Sequence, residues 1–233
     1  MKTVGIIGGI APESTVEYYR FLVEGYCQRI TDGSYPSIII NSIDMKRMLD
    51  GIAAGRLEET VEFLSLAIDR VAAAGAEFGI LASNTPHIIF GHLKERARIP
   101  LIGIVEAVCR VALKAGLRTV GLFGTRFTMQ GGFYDKGFGT VGIKVIVPSV
   151  LQQEYIHDKY MSELVKGIIL KETRANLVEI ATEMKEQKGI DGLVLGGTEL
   201  PLILRDANEI GVPLLDTTKI HVAEVLETMM AEA

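Results

Sequence analysis

The sequence predicts an α/β protein made of two similar parallel-sheet domains. Three observations lead there. First, short apolar runs alternate with amphipathic helical patterns along the chain, which is the pattern of parallel strands covered by helices on both faces. Second, landmarks of the first half recur in order in the second. TVGIIGGIAPESTVEYY from Thr3 matches TVGLFGTRFTMQGGFYD from Thr119, GILASNTP from Gly79 matches LVLGGTEL from Leu193, and IPLIGIV around Pro100 matches VPLLDTT around Pro213. The offsets between partners differ by only a few residues, and Ser83 aligns with Gly197. Third, 233 residues accommodate two small domains of about 110 residues each.

The elements follow in order. IIGG reads as a first strand, and STVEYYRFLVEGYCQRI repeats its apolar residues at helical spacing. SIIINSID reads as a buried strand, LEETVEFLSLAIDRVAAAGA as a long amphipathic helix closed by glycine, FGILA as a strand and PLIGIV as a fourth. The second half gives strands in RTVGLFGT and IKVIVPS, then a helix running through ELVKGII. The long helix TRANLVEIATEMKEQKG leads into the strands DGLVLGG and VPLLD. The last stretch, TTKIHVAEVLETMM, is expected to pack back on the first unit. The expected domains are therefore residues 1–100 with the C-terminal segment 214–233, and residues 101–213.

Composition excludes several classes of function. The chain is 48% hydrophobic and 23% charged, an ordinary balance for a globular protein. Its net charge of −5 and the lack of a basic stripe disfavour a nucleic-acid partner. Aromatics at 6% and the absence of Trp disfavour base-stacking surfaces. Cys27 and Cys109 each fall within a helical pattern with no CxxC or Cys/His cluster nearby. They read as reduced, core-facing thiols and point to neither a metal nor a disulfide framework. The apolar run in MKTVGIIGG is too short for a signal-peptide core or a membrane span. The expectation is a cytoplasmic protein without a membrane partner.

Ligands of open α/β sheets bind beyond the carboxyl ends of the strands, so the informative residues follow the apolar runs. GIIGGIAPEST, residues 5–15, has a glycine pair and then a helix start near Pro12, suited either to a tight turn or to contact with a small anion. It lacks the GxGxxG spacing of a dinucleotide fold. GTRFTMQGGFY, residues 124–134, offers threonine hydroxyls at a second helix start, as caps or as carboxylate holders. ASNTPH and GGTELP are the paired central motifs. Asn84, Thr85 and Thr198 supply donors for a carboxylate, and Glu199 suits an ammonium group or a helix end. His87 reads as a hydrogen-bonder one turn into the next helix, and His157 as a surface or interdomain residue. Lys166 is the lone cation of ELVKGII, either a snorkelling side chain or a carboxylate binder.

GIIGGIAPEST, ASNTPH, GTRFTM, the lysine of ELVKG and GGTELP together resemble the aspartate/glutamate racemase family over essentially the whole chain. The resemblance implies two pseudo-symmetric parallel-sheet α/β domains with the active-site cleft between them, a dimer, and cofactor-independent chemistry in which one cysteine from each domain flanks the substrate α-carbon. One thiolate removes the α-proton, and the other thiol protonates the opposite face. It places Ser83 and Gly197 at the two cysteine positions and Glu199 beside the second. It also implies that Ile10, Asn84, Thr85, Thr125, Lys166 and Thr198 contact the substrate, a small amino acid or dicarboxylate.

Neither cysteine of that pattern is present. A thiolate works because its pKa lies near 8.5 or below, whereas a serine hydroxyl needs a neighbouring base and glycine has no side chain. Three readings follow. The protein is a racemase or isomerase with substitute groups, drawn from Ser83 with His87 and from Glu199. It is a divergent lyase or isomerase, decarboxylase-like, acting on a small carboxylic acid. Or it binds a small acid without turnover. No metal and no cofactor is expected in any of the three.

Overall fold

The structure is a computed structural model, and it describes residues 1–231. The chain divides into two compact units. One runs from Met1 to Ile104 and resumes at His221, and the other runs from Val105 to Ile220.

The first unit begins with strand β1 (Val4–Gly8), helix α1 (Pro12–Arg29) and strand β2 (Ile38–Ser42). Helices α2 (Met45–Ala53) and α3 (Leu57–Ala73) precede β3 (Phe78–Leu81). A 3₁₀ turn (Thr85–Ile89), α4 (Phe90–Arg96) and β4 (Leu101–Ile102) complete the sheet, and α5 (Ile104–Lys114) leads onward. All pairings are parallel, in the order β2-β1-β3-β4. Strands β1 and β3 are buried at every residue, as expected of central strands covered on both faces.

The second unit holds β5 (Thr119–Gly124), α6 (Arg126–Gln130), α7 (Phe133–Gly139), β6 (Lys144–Ile146) and α8 (Val150–Ser162). A 3₁₀ turn (Leu164–Lys166), α9 (Lys171–Lys188), β7 (Gly192–Gly196) and α10 (Leu200–Leu204) follow. After β8 (Leu214–Asp216) comes α11 (Thr217–Met230). Its sheet is again all parallel, in the order β6-β5-β7-β8. The two units thus share one topology, as the repeated landmarks predict. In each sheet the winding reverses between the first and third strands, and this topological switch point is where open α/β sheets take ligands.

Val222, Val225, Leu226 and Met229 of α11 lie at helical i, i+3, i+4, i+7 spacing. They join Val4, Ile6, Tyr18, Leu22, Phe78 and Ile80 in one core cluster of the first unit. Helix α11 thus contributes to the first unit from His221 onward, whereas Leu214–Asp216 of the expected 214–233 segment form β8 in the second sheet. Residues 232 and 233 of the 214–233 segment lie outside the described residues.

Three expectations need correction. The SIIINSID strand is not buried: β2 is an edge strand, Ile40 is 42% exposed, and an apolar run does not by itself distinguish an edge from a centre. The helix through ELVKGII stops early. Helix α8 ends at Ser162, Lys166 closes the 3₁₀ turn, and Gly167 at φ 71° adopts the left-handed conformation that stops a helix. Of the two thiols, only Cys109 faces the core, while Cys27 is exposed. Burial, reinforced by the Glu106 carboxylate, pushes the Cys109 thiol up to about 12, so it is an inert packing group.

Truncating Leu226 to alanine is expected to lower unfolding free energy by about 2–5 kcal/mol, measured as a lower urea midpoint with an unchanged slope.

Candidate functional site

In the first unit the switch point lies between the ends of β1 and β3. Helix α1 clamps both ends. The Thr15 hydroxyl accepts from the Gly9 N–H at 2.8 Å, and the Ser14 hydroxyl donates to the Ala82 carbonyl at 2.7 Å. Gly9 has φ 84°, and a Cβ there would fall 2.5 Å from the Ile43 carbonyl oxygen, so the turn demands glycine. Ile10 follows, 4% exposed. Beyond β3 stand Ser83, half-buried, and the buried Asn84, Thr85 and His87.

The His87 ring is fully committed. Its Nε2 accepts from the Ile104 N–H at 3.0 Å, which leaves Nδ1–H to donate to the Ser83 carbonyl, also at 3.0 Å. The ring also stacks on Phe90, with centroids 4.6 Å apart. Burial first, and His221 second, lower its pKa to about 3. A neutral imidazole with both nitrogens bound to backbone has no lone pair for the Ser83 hydroxyl. The expected Ser83–His87 pair is therefore not an acid–base pair in this geometry, because His87 holds the Ser83 backbone.

His221 is wired in the same way. Its Nε2 meets the Ile102 carbonyl at 3.0 Å and so carries hydrogen, leaving Nδ1 to accept from Tyr18 Oη at 2.8 Å. The two imidazoles brace the strand ends of the first unit without facing a ligand as bases.

In the second unit, Gly124 of β5 lies in register with Gly196 of β7. A Cβ on Gly124 would sit 2.8 Å from the Gly196 carbonyl oxygen, and one on Gly196 would sit 2.8 Å from the Phe123 carbonyl oxygen. Thr125 caps α6, accepting from the Thr128 N–H at 3.3 Å. Half-buried His157 accepts on Nδ1 from the Arg126 N–H at 3.2 Å. It is thus tied to the turn that carries Thr125, and burial followed by the Arg126 charge lowers its pKa. Lys166 is exposed on its 3₁₀ turn.

The environment of Gly197 is the feature that sequence reasoning missed. A Cβ placed on Gly197 would fall 2.5 Å from Tyr160 Cε2 and 2.8 Å from Tyr160 Oη. The phenol therefore occupies the volume toward which a side chain at 197 would point. Tyr160 Oη donates to Glu199 Oε2, and Thr198 Oγ1 donates to the same oxygen at 2.6 Å. All three residues are buried, Tyr160 at 6%, Thr198 at 7% and Glu199 at 5% exposure. Tyr160 and His157 lie one turn apart on α8, so one face of this helix covers both the Thr125 turn and the Gly197 turn. The available sequence signal was the stretch EYIHDKY, whose tyrosine falls three residues after His157. Among the described residues no cluster of three His, Cys, Asp or Glu side chains is arranged to hold a metal ion.

Two parallel sheets of identical topology, each ending at its switch point in glycines and small hydroxyl residues, define a class of two-unit α/β protein. The sequence model of the Asp/Glu/Hydantoin racemase family matches residues 7–225, and the chain belongs to this family. The crystal structure of an aspartate racemase homologue from Pyrococcus horikoshii OT3 is 34% identical, with a TM-score of 0.87 over 99% of this chain and 100% of that one. The Picrophilus torridus aspartate racemase shares the fold at a TM-score of 0.78 and 22% identity, covering 98% of this chain and 94% of that one. Among curated relatives, the glutamate racemase of Corynebacterium kroppenstedtii is 26% identical over 148 residues, which is 63% of this chain and 50% of that protein. The chain spans about half the length of such relatives.

Two predictions follow from this geometry. The folded His87 pKa lies below the unfolded value, so this group's contribution to stability is complete above about pH 6.5 and is lost as pH falls toward about 3. By NMR its ring resonances should stay in the neutral form from pH 8 to pH 5. Gly197→Ala should destabilise the fold by about 1–3 kcal/mol through overpacking against Tyr160, and Tyr160→Ala in the same chain should make the Gly197→Ala change close to neutral. A double-mutant cycle of denaturation midpoints measures both.

Proposed function

We propose that the protein binds a small amino acid or dicarboxylate and acts on the hydrogen at its α-carbon, as a cofactor-independent isomerase of the racemase family. The observation that carries this reading is the equivalent placement of ASNTPH and GGTELP. Each directly follows the third strand of its unit, at the switch point. Asn84, Thr85, Thr125 and Thr198, with Lys166, are the groups assigned to hold carboxylates, and Ile10 the backbone turn that approaches the ligand. Ser83, Gly197 and Glu199 mark the positions nearest the reacting carbon. A cytoplasmic homodimer belongs to the same proposal. No helix among the described residues is long and apolar enough to cross a membrane.

A second reading has a specific observation in its favour. The two switch points are chemically unequal. Ser83 has no imidazole base at its side, whereas the Gly197 turn carries a phenol and a carboxylate. A reaction that needs one proton donor, such as decarboxylation followed by protonation, suits that inequality.

Incubation in D₂O with L- and D-aspartate and L- and D-glutamate should give saturable deuteration at the α-carbon, followed by NMR, with inversion read by chiral chromatography. Retention of configuration with exchange would place the chemistry on one face. Carbon dioxide release from a panel of small dicarboxylates would favour the second reading. Saturable thermal stabilisation with no exchange and no product would replace both with a binding role.

A further inference from the structure

We propose that Tyr160 stands in for the side chain missing at position 197 and works with Glu199 as a proton relay on that face of the ligand. This deepens the function proposed above and rests on it.

The first support is geometric. Glycine at 197 leaves a direction open, and the edge and hydroxyl of the Tyr160 ring fill it, 2.5–2.9 Å from where a Cβ would be. A side chain at 197 and the phenol at 160 exclude one another. The phenol is the group that the fold delivers to the end of β7.

The second support is the hydrogen-bond arrangement. Tyr160 Oη donates to the Glu199 carboxylate, and Thr198 donates to the same oxygen. Buried carboxylates are normally paired with a cation. Here two neutral hydroxyls hold the carboxylate instead. The Thr198 side chain and the Glu199 backbone also hydrogen-bond the phenol, so the ring is held against the carboxylate from more than one side.

The relay balances without ionising the phenol. The α-proton passes to Tyr160 Oη as the phenolic proton passes to Glu199. The C–H bond electrons remain on the substrate as the carbanion, delocalised into its carboxylate. Tyr160 ends protonated and Glu199 ends as the neutral acid. The reverse sequence returns a proton to carbon. Burial, followed by the Glu199 charge, raises the Tyr160 pKa well above its ordinary value, which disfavours free phenolate but leaves a concerted transfer open. A positioned acid–base group of this kind is typically worth about 10²- to 10⁴-fold in rate.

The test compares wild type, Tyr160→Phe and Glu199→Gln. Each is assayed for α-deuteration of L- and D-aspartate and L- and D-glutamate in D₂O, and for thermal stabilisation by the same four compounds. Tyr160→Phe retains the ring that fills the Gly197 volume. Glutamine at 199 still accepts from the phenol but takes no proton, so it reads the relay even if the phenylalanine variant does not fold. The expected result is that either variant remains stabilised by the ligand while exchange falls by 100-fold or more. Exchange within a few-fold of wild type in a folded, ligand-stabilised variant would overturn the relay and leave the proposed function standing. Wild type that shows no exchange with any of the four compounds would overturn the proposed function, and the relay with it.

Discussion

The close seating of a helix on a bare strand end is the constraint on which both switch points depend. At the end of β1, a Cβ on Gly8 would lie 2.5 Å from Thr15 Cγ2, and at the end of β5, a Cβ on Gly124 would lie 2.8 Å from Thr128 Cγ2. In both units, then, the threonine of the following helix occupies the space that a side chain on the strand would need. Glycine is the residue that permits this approach. The result is a helix start held against the carboxyl edge of the sheet, with its hydroxyls committed to the backbone at Gly9 and at the Thr125 cap.

On that shared scaffold the two units carry different chemistry. The first spends its buried imidazoles on architecture. His87 joins the Ser83 carbonyl to the start of α5, and His221 joins Tyr18 to the Ile102 carbonyl. Each ring is held in one tautomer by a backbone partner. The second unit keeps a carboxylate buried at Glu199 and surrounds it with hydroxyl donors. Equal topology therefore does not imply equal acid–base capacity.

The architecture was legible in the sequence because parallel strands are local apolar runs and the repeat doubled each signal. The polar residues at strand ends were legible for the same reason: Ser83, Asn84, Thr85, Thr198 and Glu199 interrupt apolar runs at equivalent places. Properties set by neighbours distant in sequence were not legible. SIIINSID carries nothing that marks β2 as an edge, and Cys27 and Cys109 share a helical pattern although only one faces inward. The commitment of His87 depends on an N–H supplied by Ile104, 17 positions away. Tyr160 meets Glu199 across 39 positions, and a glycine does not announce what fills the space beside it.

The mutual exclusion between Gly197 and Tyr160 also constrains change at both positions. A side chain at 197 presses on the ring at 160, and a smaller residue at 160 opens a void while 197 remains glycine. Each single step from the present pair passes through a strained or under-packed chain. The two positions are therefore coupled, and a change at either one sets the cost of a change at the other.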